Sequence, residues 1–168
     1  MLDVLRLMAR TNSILDVRTV REYVDTADTR SLPGEVQKVV NAGVAAGHLR
    51  GNDAFVTQTL ADVNARIGPD KASLPGLAAR AQRDATGVLA LATGDAYLGH
   101  GDLAKAVELY RLALTKGGID RDRANTRLGI ALSDSGDMPG ARQAFGQVGG
   151  IRQPLARMWT AYLASKGG

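Results

Sequence analysis

The chain has 168 residues, long enough to bury a core without a metal or disulfide staple. It contains no Cys, which excludes disulfides and thiolate–metal sites. Its 21 Lys and Arg against 17 Asp and Glu give a formal charge of +4, mild and scattered, which argues solubility before it argues nucleic acid. Aromatic residues make up 4% of the chain, which suits closely stacked helices better than a sheet core or a base-stacking platform.

Leu2, Leu5, Met8 and Ala9 predict a short first helix that begins with almost no polar lead-in. Such an opening reads as cut from something longer, with Met1 as a native start the alternative. On the first reading Leu2, Leu5 and Met8 are left uncovered and invite self-association through this helix. Asn12 and Ser13 break the pattern, and a second helix is expected from about Asp16, with Val17, Val20, Val24 and Ala27 on one face. Ser31-Leu32-Pro33-Gly34 opens a third helix, since Pro loses nothing in a first turn where the N–H has no partner. Gly51-Asn52-Asp53 forms a turn and cap before a fourth helix, whose stripe is Val56, Leu60, Val63 and Ile67. Gly68-Pro69-Asp70 is expected to end it. Ser73-Leu74-Pro75-Gly76 repeats the tetrapeptide of the third helix and predicts the start of a fifth, carrying Leu74, Leu77 and Ala81.

From Gly87 to Val148 a helical hairpin is written twice. Gly94, Tyr97, Gly101, Ala106, Tyr110 and Ala113 recur 35 positions later as Gly129, Leu132, Gly136, Ala141, Phe145 and Val148. Small residues at Gly94 and Ala106 let the two helices of a hairpin approach closely. Gly101 accepts positive φ at the turn, and Asp102 and Asp137 cap the helices that follow. Leu103, Ala106, Val107, Tyr110 and Leu114 form one helical stripe. Finally Leu155, Met158, Trp159 and Tyr162 form a stripe after Pro154, which predicts a helix that covers the end of the preceding hairpin with Trp159 in the core.

This small–aromatic–small register resembles the tetratricopeptide repeat (TPR), a family with about 34 residues per helix–turn–helix unit. Over its whole length the chain is also similar to the C-terminal part of longer uncharacterised bacterial TPR proteins. Thr93 and Gly118 depart from the usual Leu and Pro, and the third helix has Glu35 or Val36 where the pattern has Ala. The resemblance implies an all-α fold, a right-handed α-solenoid of antiparallel helical hairpins, with about nine or ten helices and a C-terminal capping helix. It implies a single domain over 1–168, with degenerate repeats over 1–86, clear repeats over 87–120 and 122–154, and the cap over 154–166. Members of that bacterial group generally begin with a secretory signal, so the resemblance implies a periplasmic location if the chain is a fragment and a cytoplasmic one otherwise.

No motif for catalysis emerges. His48 and His100 stand singly beside glycines, and Glu22, Glu35 and Glu108 are too dispersed for an acid–base pair. Asp120 and Asp122 could hold a cation, but helix capping explains them more simply. No metal-protease, nucleophile-elbow or phosphate-loop signature is present. No enzyme activity, cofactor or metal is expected, nor a membrane partner, because no apolar run reaches transmembrane length. The resemblance implies a scaffold for a protein or peptide, with first helices lining a concave groove. That places Leu91, Asp95 and Leu98 of one repeat and Arg123, Thr126, Arg127 and Ile130 of the next along its wall. Arg123 and Arg127, four apart, share one helical face and could grip a carboxylate. TPR domains that hold peptide C-termini have an Asn where Asp95 stands, so a mixed acidic–basic peptide fits better than a free terminus. The alternative is that both arginines pair with nearby Asp side chains. A helical-repeat nucleic-acid binder is the rival class, disfavoured by the mixed, partly acidic row.

Overall fold

The computed structural model describes residues 1–14 and 16–166. Among them are nine α-helices, a short 3₁₀ turn and no strand. In order the helices are α1 (Leu2–Arg10), α2 (Val17–Ala27), α3 (Pro33–Ala45), α4 (Ala54–Arg83), α5 (Val88–His100), α6 (Leu103–Lys116), α7 (Arg121–Asp134), α8 (Met138–Gly146) and α9 (Gln153–Lys166). None is long and apolar enough to cross a membrane among the described residues. Contacts divide the chain into two compact units, Met1–Ser73 and Leu74–Gly168.

In the first unit, Asp16 caps α2 by accepting the Thr19 N–H at 2.7 Å, and Pro33 occupies the first turn of α3. The core gathers around Val20, Tyr23, Val36, Val40, Val56 and Val63. Leu5 joins it at 2% exposure, and Leu2 and Met8 pack against it. The apolar face of α1 expected to lie open is therefore covered within its own unit. Glu35, the residue that departs from a small-residue pattern, is buried in an ionic cluster. Arg6 donates Nε and Nη2 to its two carboxylate oxygens at 2.8 and 2.7 Å, and Tyr23 donates its hydroxyl at 2.8 Å. Arg6 also reaches Asp3 at 3.0 Å. Burial alone would push the Glu35 carboxyl up, but the Arg6 charge and the hydrogen bonds from Arg6 and Tyr23 hold it below its usual value. Burial, with the Glu35 charge, pushes the Tyr23 phenol well above its ordinary range.

The expected break between a fourth and a fifth helix is absent: α4 runs without interruption through Gly68-Pro69-Asp70 and through Pro75. A proline inside a helix orphans the carbonyl four residues before it. Here those carbonyls belong to Ala65 and Lys71, both on exposed turns where water can bond them. The turn tetrapeptide therefore starts a helix at Pro33, where a loop precedes it, and is absorbed into one at Pro75.

In the second unit, α5 with α6 and α7 with α8 form two hairpins whose contacts repeat at the 35-residue offset. Gly101 and Gly136 end their helices at φ 86° and 89°, values that favour glycine. Asp102 then accepts the Lys105 N–H at 3.1 Å, and Asp137 the Gly140 N–H at 2.8 Å. Ala106 and Ala141 are wholly buried. A Cβ on Gly94 would stand 2.8 Å from the Tyr110 ring, and one on Gly129 would stand 2.6 Å from the Phe145 ring. Each hairpin thus closes on a glycine facing an aromatic ring, whereas the spacing sets Gly94 against Ala106. Trp159 of α9 is wholly buried and stacks on Phe145 with ring centroids 5.6 Å apart.

Candidate functional site: the α5–α7 face

The seven residues assigned to a groove wall lie on α5 and α7, adjacent helices of the second unit. Their exposure is uneven. Thr126 and Ile130 are wholly buried, and Leu91, Asp95, Leu98 and Arg127 all lie at or below 7%. Arg123 alone of the seven is exposed, with 44% of its side chain open. The reason is the position of α7. It packs against both α6 and α8 and also meets α5 and the 3₁₀ turn, and every residue from Ala124 to Ser133 is buried. A first helix with neighbours on so many sides offers a ligand little but its ends.

The buried charges close on one another. The Asp95 carboxylate accepts the Tyr110 hydroxyl at 2.8 Å and a guanidinium N–H of Arg127, and Arg123 stands 4.0 Å away. Arg127 is therefore placed as an internal counter-ion of Asp95, and its fork is turned away from solvent. The second hairpin shows why this pairing belongs to the first hairpin alone. At the 35-residue offset Tyr110 becomes Phe145 and Asp95 becomes Ile130, so hydroxyl and carboxylate are exchanged together for two apolar groups. Losing one partner alone would strand a buried polar group; losing both costs little. The sequence carried this signal as a matched pair of substitutions between the copies.

The acidic pair Asp120 and Asp122 divides its work. Asp120 caps α7 by accepting the Arg123 N–H at 2.9 Å and pairs with Arg152 at 3.2 Å. Burial would raise its carboxyl, but that N–H and the Arg152 charge hold it below its usual value. Asp122 instead accepts the Gly149 N–H at 3.0 Å and fastens the segment after α8. His48 lies in the first unit and His100 in the second. Among the described residues no group of three or more His, Asp or Glu is placed to hold a metal ion.

One polar residue escaped the sequence reading. Asn125 continues the Leu128 and Leu132 row of α7 and is 7% exposed. A lone amide in an apolar row at helical spacing is the signal that could have found it. Comparison with protein-family models, with curated proteins and with solved structures gave no match.

Proposed function

We propose that this chain is a non-catalytic, TPR-like scaffold, a right-handed α-solenoid of helical hairpins that binds a protein or peptide. The observation that supports this most is the repetition of one hairpin design at a 35-residue offset. Turn glycine, capping Asp, buried Ala and glycine-on-ring contact all recur together. Hairpins of this kind gain stability by stacking on their neighbours, and the stack offers partners an extended surface. On the face first assigned to that surface the open positions include Val88 and Ala92 on α5 and Arg123 and Asp134 on α7. Selection from displayed random-peptide libraries against the whole chain tests the scaffold reading. Peptides that bind the folded protein in purified form are expected, and libraries that yield no binder above background would refute it.

A further inference from the structure

The second unit carries an open cleft of about 240 Å³ between α6, α7 and α8. Its apolar part is supplied by Leu128 and Leu132 of α7, and its polar part by Arg111, Asn125, Gln143 and Gln147. No carboxylate lines it. Asn125 is the informative member. It is 93% buried, as its 7% exposure implies; among the described residues no hydrogen bond joins its side-chain amide to the protein, and the polar atoms of that amide keep contact with solvent. On a residue otherwise so buried, the amide meets solvent at the wall of the cleft, where a group from outside can take the place of water. The repeat offset supplies a reference: the equivalent of Asn125 in the first hairpin is Ala90, wholly buried and apolar. Packing at this position of the hairpin therefore does not require an amide. Arg111 is exposed at the mouth of the cleft and makes no ion pair among the described residues.

We infer that this cleft is a docking site for an extended acidic peptide segment, one apolar side chain seated on Leu128 and Leu132 and an adjacent carboxylate on Arg111. The volume falls below the ~300–1,000 Å³ of sites for drug-sized ligands, which favours a single side chain over a cofactor. The amides of Asn125, Gln143 and Gln147 each donate and accept, which matches the alternating N–H and C=O of an extended main chain. The sign follows from one unpaired cation and no acidic residue in the lining. This site rests on the scaffold reading but lies on the second-helix side, away from the row of Leu91, Asp95 and Arg123.

The test is a titration of the isotope-labelled full chain, followed by NMR, with three capped short peptides. One alternates Leu and Asp, one alternates Leu and Lys, and one alternates Ser and Asp. Shifts at the Asn125 and Gln143 side-chain amides and the Leu128 backbone are expected with the Leu–Asp peptide only. Arg111→Glu, an exposed change, should weaken that binding about tenfold, since it replaces attraction by repulsion. Asn125→Leu should fill the cleft and abolish the shifts while the protein melts no lower than wild type. Equal binding of the Lys peptide, no shift with any peptide, or full binding by either variant overturns the site. Binding mapped to Val88, Ala92 and Arg123 instead would overturn the site and leave the scaffold reading standing.

Discussion

Replacing Gly129 by Ala adds one methyl group where α7 packs against Phe145 of α8. In a helix interior Ala is favoured over Gly by about 0.5–1 kcal/mol, so propensity alone predicts stabilisation. Geometry predicts the reverse. The new Cβ would stand 2.6 Å from Phe145 Cε1 and 2.7 Å from its Cδ1 and Cζ, distances that force the ring or the helix to move. The ring has no easy retreat, because its neighbour Trp159 stacks on it at 5.6 Å and is itself wholly buried. Overpacking of this kind costs about 1–3 kcal/mol, and after the propensity gain a net loss of about 1–2 kcal/mol remains. Gly94→Ala should lose at least as much, because displacing Tyr110 also loosens its hydroxyl bond to Asp95. The control is Gly76→Ala on α4, where a Cβ meets nothing within 4 Å. Urea denaturation followed by circular dichroism reads all three. A Gly129→Ala midpoint at or above that of wild type, with Gly76→Ala raised as expected, would refute the close-packing argument.

The other expectations are smaller or more local. Gly76→Ala should stabilise by about 0.5–1 kcal/mol, since the site is open, whereas Gly68→Ala should gain less because its Cβ meets the ring of the following Pro69; the same urea curves check both. Asp102→Ala and Asp137→Ala should each cost about 1 kcal/mol through loss of a helix cap, with Asp→Asn substitutions at the same sites restoring most of it. Arg6→Ala strands the buried Glu35 and Asp3 carboxylates and should destabilise by about 3–5 kcal/mol; a melt within 1 °C of wild type, on the order of a few tenths of a kcal/mol, would show the cluster to be idle. Because Glu35 is held below its ordinary value of 4.5, it contributes stability above that pH and loses it as the pH falls toward its folded value. Glu35→Gln should therefore flatten the acid limb of a stability–pH profile, and an unchanged acid limb would count against the assignment.

The sequence by itself determined the helical class, most helix starts, and the design of both clear hairpins. Those features are local: Asp102 and Asp137 cap within three residues, Gly101 and Gly136 need only a turn, and apolar stripes repeat with the helix period. Two copies of the same spacing also marked Gly94 and Gly129 as close-packing positions, but that each meets an aromatic ring rather than a small residue emerged only from the packed helices. Tertiary structure decided the rest. Whether Pro69 and Pro75 break a helix depends on whether the carbonyls they orphan can reach water, and on α4 these lie on exposed turns. Whether Arg127 faces a ligand or a counter-ion depends on Asp95, which lies 32 residues away and on another helix. The same holds for Glu35 and Arg6, 29 residues apart. Periodicity told which side of α7 turns inward, but burial on its remaining sides came from neighbours that no spacing within α7 could announce. Charge pairing and burial are pairwise, long-range quantities, and they fix the site only once the helices have packed.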